Sequence, residues 1–166
     1  MLHSGLPMKK FSFVLLLLTS LALSAAVVRL APNFALNGVG SSTTLRSFSG
    51  RSVVLIVAES ARDKAVKAQV KKLKDLYQEF ASRQVVFIAA FRDGSSSDDL
   101  HSDIPFVIAR DGVKVTADYE VNEPFNLIII GKDGNVDMQT SRVCPATRVR
   151  DVIINSYAAQ AAGRKE

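Results

Sequence analysis

Val53-Val54-Leu55-Ile56-Val57 and Val85-Val86-Phe87-Ile88-Ala89-Ala90 are two short, unbroken apolar runs rich in β-branched residues. Such runs mark strands buried on both faces of a parallel sheet, because a strand with one wet face would alternate polar and apolar residues. Between them Val66, Val70, Leu73, Tyr77 and Phe80 recur at spacings of four, three, four and three, the period of one helix face. Lys64, Lys67, Lys71, Lys72 and Lys74 take most of the rest of that helix surface. Ser60-Ala61-Arg62-Asp63 has the form of a capping box, so Ser60 is expected to cap the helix while Asp63 reaches back. Strand, helix and strand make a βαβ unit, and the expectation is an α/β fold.

Downstream, Arg92 to Asp99 reads as a polar loop with at most one helical turn around Asp98 to His101. Ile104 to Ile108 is a short extended segment, with Asp111-Gly112 as a turn after it. Leu127 to Ile130 is the next buried strand. Lys132-Asp133-Gly134-Asn135 supplies the residues of a tight hairpin, so Val136 to Thr140 should pair antiparallel with that strand. Val149, Val152, Ile153 and Tyr157 mark a closing amphipathic helix with Pro145 in its first turn, and the charged tail from Gly163 should fray.

Two blocks carry a resemblance. The first is Ala31-Pro32-Asn33-Phe34-Ala35-Leu36, then Leu45, Phe48, Ser49-Gly50-Arg51 and Val53 to Val57; the second is Asp103 to Ile108, Tyr119-Glu120-Val121 and Ile128 to Val136. In their order and separation they resemble the thioredoxin-like and peroxiredoxin-like (redoxin) superfamily. The resemblance implies a thioredoxin-like fold, a mixed central sheet flanked by helices. It also implies a redox site whose residues are missing here. Where secreted thioredoxin-like reductases carry Cys-x-x-Cys, this chain reads Arg62-Asp63-Lys64-Ala65, and no cysteine for a peroxiredoxin-type attack occurs between Ser60 and Val70. The family's cis-proline position falls on Phe125, with Pro124 one residue early; a cis Glu123–Pro124 bond is allowed, although cis is the minority state.

Function is therefore sought on a frame without its usual thiols. The scaffold's substrate groove would lie between Ser60, Ala61, Arg62 and Ala65 on one side and Pro124 and Phe125 on the other. The leading expectation is a non-catalytic module that binds a protein or peptide there, with no cofactor and no metal. The alternative is a single-cysteine thiol oxidoreductase or peroxidase acting through Cys144, the one cysteine of the chain. Cys144 precedes Pro145 at the expected N-cap of the last helix, where a thiolate is favoured, and Arg142 and Arg148 are near in sequence. Asp98, Asp99, His101 and Asp103 form the one cluster of metal-type side chains, in a spacing that matches no known metal loop. The helix lysines offer an anion-facing surface toward lipid headgroups or polyanions, or simply a solvated face. No Ser/His/Asp set and no phosphate-binding glycine loop can be assembled.

The 166 residues suffice for one domain. Lys9-Lys10, the apolar run Phe11 to Leu23 and the small residues Ser24-Ala25-Ala26 have the pattern of a signal peptide, so residues 1–26 are expected to be removed and 27–166 to form the domain. The run is shorter than a membrane span requires, although an uncleaved anchor would gain from Val27, Val28 and Leu30. Export to a periplasm or beyond follows. Cleavage removes two lysines and no acids, lowering the net charge of +5 to +3, too mild to argue for nucleic acid. A single cysteine also rules out an internal disulfide, so the core must supply stability.

Overall fold

The computed structural model describes residues 29–38 and 43–156. The expected signal peptide, Tyr157 and the tail from Gly163 lie outside them. Five strands and four helices follow in the order β1 (Val53–Ala58), α1 (Lys64–Lys74), α2 (Tyr77–Ser82), β2 (Val86–Phe91), β3 (Phe106–Ile108), α3 (Gly112–Asp118), β4 (Phe125–Ile130), β5 (Val136–Thr140) and α4 (Ala146–Ile154). The sheet order is β3-β2-β1-β4-β5. β1 pairs parallel with β2 and antiparallel with β4, β2 pairs parallel with β3, and β4 and β5 form the expected hairpin.

All six residues of β1 are buried, and alternate ones serve two cores. Val54, Ile56 and Ala58 face α1, α2 and α4 through Val66, Val70, Leu73, Phe80, Val149 and Ile153. Val53, Leu55 and Val57 face Leu36, Val115 and Tyr119, from the N-terminal segment and α3. Burial on both sides explains why these runs carry no polar alternation, and each buried Val, Leu or Ile contributes about 1.5–3 kcal/mol. Phe87 anchors the first core, its ring centroid 5.7 Å from Phe106, 5.9 Å from Phe80 and 6.1 Å from Tyr77.

Four details differ from the sequence expectation. The helix between β1 and β2 is split, because the Asp75 and Leu76 amides donate three residues back, to Lys72 and Leu73, and tighten the chain; the apolar stripe nevertheless stays inward. Only half of the capping box forms. Asp63 reaches back to the Ser60 amide at 3.1 Å, but the Ser60 hydroxyl accepts from Arg62 rather than Asp63, and Asp63 itself is the N-cap. Asp111-Gly112 is the start of α3 and not a turn: Asp111 Oδ1 accepts the Lys114 amide at 2.9 Å. Gly112 lies flush on β2, where a Cβ would fall 2.0 Å from the Phe91 carbonyl oxygen. Finally, the N-cap of α4 is Pro145, which leaves Cys144 one residue outside the helix. Among the described residues no helix is long and apolar enough to cross a membrane.

Candidate functional site

The C-terminal end of β1 delivers the chain into Glu59-Ser60-Ala61-Arg62-Asp63 and then into α1. Across from it, Phe125 pairs with Ala58 at the start of β4, and the Glu59 amide donates to the Pro124 carbonyl at 3.3 Å. The structure therefore brings the two expected walls of the groove together. They are not equally available. Ala61 and Phe125 are buried in the first core, Ala65 is half-buried against it, and Ser60, Arg62 and Pro124 remain to meet solvent. No peptide bond among the described residues is cis, Glu123–Pro124 included, and Phe125 begins a regular strand.

Arg62 and Ala65 lie on either side of Asp63-Lys64 at the start of α1, and the loop leading to them is latched from the side. Ser95 Oγ accepts the Ala61 amide at 3.2 Å and donates to Asp93 Oδ1 at 2.6 Å. The Ser60 and Ser95 hydroxyls lie 3.4 Å apart in the same cluster. The Ser95 hydroxyl in turn holds the Asp93 carboxyl below the usual carboxylate range. The Ser60 and Arg62 amides are satisfied within the loop, by the Asp63 carboxylate and the Ser60 hydroxyl. Arg62 reaches Asp99 at 3.3 Å, and the Ser96 amide and hydroxyl together with Arg62 keep Asp99 ionised. Arg92 Nε lies 2.7 Å from Glu59 Oε2, an ion pair without hydrogen-bond alignment.

Asp93 and Ser95 were missed by sequence reasoning, and Asp99, singled out there only in a metal-type cluster, pairs with Arg62 instead. The available signal was Asp93-Gly94-Ser95, an Asx-type turn that fixes a hydroxyl, but nothing local says that the loop folds onto the start of α1. Beyond Ser95, toward β3, a cavity of about 680 Å³ is lined by Phe91, Arg92, Ser96, Phe106 and Arg110 among others.

Cys144 is placed differently from its expectation. Its amide donates to Gln69 Oε1 at 2.7 Å and its carbonyl accepts from Gln69 Nε2 at 3.0 Å, and Gln69 is fully buried in α1. The half-buried thiol packs against the first core and points its sulfur at the Arg142 carbonyl, 3.6 Å away. Burial pushes the thiol up, and Arg148 offsets only part of that. A helix start that would have favoured the thiolate is one residue further on.

Asp99 and Asp103 are likewise engaged. Asp103 takes Lys74 at 2.6 Å, and the His101 ring Nδ1 sits on the Asp99 carbonyl at 2.9 Å. Among the described residues no three His, Cys, Asp or Glu side chains gather as a metal site.

Residues 44–153 match the profile of a family described as "Domain of unknown function (DUF4174)". The chain belongs to that family. None of the curated protein sequences matches this DUF4174 chain. Among solved structures it is similar to a thiol:disulfide interchange protein from Bacteroides sp., at 18% identity and a TM-score of 0.63 over 80% of this chain and 93% of that one. It is also similar to the 2-Cys peroxiredoxin of Plasmodium vivax, at 19% identity and a TM-score of 0.58 over 84% of this chain and 99% of that one. Likeness at this identity establishes the fold. The DUF4174 domain has a thioredoxin-like fold, a mixed five-stranded sheet flanked by helices, and the chain carries one cysteine and no Cys-x-x-Cys.

Proposed function

We propose that this DUF4174 chain is exported to a periplasm or secreted, loses a signal peptide of residues 1–26, and acts through domain 27–166 as a non-catalytic module that binds a protein or peptide. The contact surface is the groove of Ser60, Arg62 and Ala65 facing Pro124, with Ala61 and Phe125 buried in the first core. One observation supports the reading: β1 and β4 pair in register beside the expected groove, while the segment entering α1 reads Arg62-Asp63-Lys64-Ala65 with no cysteine. Arginine and alanine cannot exchange disulfides, but an exposed guanidinium just before α1 is suited to grip a peptide. The rival reading through Cys144 needs a thiolate at a site where burial disfavours one.

The test has two arms. Purified protein should show no insulin or peroxide reduction at rates typical of thiol enzymes. Peptides selected from a displayed library should then protect amides at residues 59–65 and 123–126 from hydrogen exchange. Turnover by the wild-type chain that is abolished in Cys144→Ser would overturn the proposal in favour of the oxidoreductase, and protection confined to another face would overturn the groove.

A further inference from the structure

One side of α1 forms a cleft with the segment that follows the Asp98–Leu100 turn. Lys67, Lys71 and Lys74 make one wall, His101 and Ser102 the other, and the nearly buried Val70 and Leu100 lie between them, enclosing about 520 Å³. The lysines stand at i, i+4 and i+7, a row about 10 Å long. Lys74 is already matched by Asp103 at 2.6 Å. Among the described residues neither Lys67 nor Lys71 has an ion-pair partner, although both are exposed beside an apolar floor. Two unmatched cations one helical turn apart over buried aliphatic side chains form a surface with a definite complement.

We propose that this cleft binds an extended acidic segment of a partner protein with the pattern acidic, apolar, acidic. In an extended chain alternate side chains point the same way about 7 Å apart, close to the rise of about 6 Å between Lys67 and Lys71. The two carboxylates therefore meet the two lysines, and the residue between them turns toward Leu100. A bilayer surface fits poorly because it is flat while the cleft is concave and its floor recessed. A phosphate or polyphosphate gains nothing from Val70 and Leu100, and these lysines bring no bidentate fork or backbone amides to hold it. The cleft is separate from the Ser60–Ala65 groove, so its test reads independently of that site.

Fluorescence anisotropy of the full chain with a labelled Gly-Ser-Glu-Leu-Glu-Ser-Gly peptide at low salt tests this. Binding should weaken by about tenfold or more in Lys67→Glu/Lys71→Glu, and little in Lys72→Glu/Lys132→Glu, which changes the net charge equally outside the cleft. A Glu-Ser-Glu peptide should bind severalfold more weakly than Glu-Leu-Glu, and a Gln-Leu-Gln peptide should not bind. Equal loss in both double variants would overturn the cleft in favour of general charge attraction, and equal binding of the Ser and Leu peptides would overturn the apolar contact. Displacement of the peptide by tripolyphosphate at equal charge concentration would assign the site to small polyanions. Absence of peptide binding, with co-sedimentation on phosphatidylglycerol vesicles lost in Lys67→Glu/Lys71→Glu, would assign it to membranes. Circular dichroism of both double variants confirms that they are folded.

Discussion

Gln69 and Cys144 exchange two hydrogen bonds, side-chain amide to main chain, at 3.0 and 2.7 Å. The pair ties the middle of α1 to the segment entering α4 and satisfies both main-chain groups of Cys144 from one buried side chain. Gln69→Leu keeps the volume but orphans those groups, so it should cost about 2–3 kcal/mol in urea unfolding. Cys144→Ala leaves both bonds in place and should cost less than about 1 kcal/mol. Equal costs would mean that the thiol, not the main chain, holds this junction.

Cys144 should alkylate slowly in the native state. Burial raises its pKa, so the rate should climb only above the ordinary thiol range, while a denatured control titrates normally. Rapid native labelling with a midpoint well below 8 would contradict the placement of the thiol and revive chemistry at this residue.

Asp137 should make stability fall as pH rises through the weakly acidic range. Burial, and then the neighbouring Asp133, push its carboxyl from 3.8 up to about 6, and its buried Oδ2 finds no hydrogen-bond partner among the described residues. Between those values the folded chain holds the proton more tightly than the unfolded chain, so unfolding releases it. The contribution is fully present below about 4 and is lost as pH passes about 6. Asp137→Asn should flatten this slope and, with allowance for solvent screening, add about 1 kcal/mol at pH 8. Unfolding midpoints of both proteins at pH 4.5 and pH 8 would check it.

Gly112→Ala should be among the costliest single-methyl additions. The new Cβ would fall 2.0 Å from the Phe91 carbonyl oxygen, so α3 must lift off the sheet, at about 2–4 kcal/mol. Gly94→Ala meets no atom within 4 Å and bears only the strain of its φ of 78°, about 1 kcal/mol. Thermal unfolding of the two variants side by side gives the ranking.

Much of this architecture was legible because β1, β2 and β4 are buried on both faces and so spell themselves out in runs of apolar residues, broken only by Asn126. The hairpin was legible from Lys132 to Asn135 for the same reason that it forms: turn residues with the right backbone freedom. α3 was hidden because Asp111-Gly112 carries one chemistry with two uses, an Asp that can close a turn or cap a helix. The break at Asp75 and Leu76 has no glycine or proline to announce it. In the candidate site, the absence of cysteine from Ser60 to Val70 was plain, whereas the Ser95 latch joins residues 34 apart and depends on how the loop folds back. Gln69 could not be singled out either, since a lone glutamine on a helix reads as solvent-facing until its buried partner is known.

The position of β1 at the centre of the sheet has a kinetic consequence. Its parallel partner β2 arrives after a local helix, but its antiparallel partner β4 lies about seventy residues further along the chain, so closing that side means forming the longest loop between central strands. Until Phe125 to Ile130 emerges from whatever makes or moves the chain, β1 offers six apolar residues and an unpaired ladder edge to any other strand nearby. The nascent protein is thus most vulnerable to aggregation in the interval between its second strand and its fourth, and slowing synthesis within residues 92–124 should lower its soluble yield.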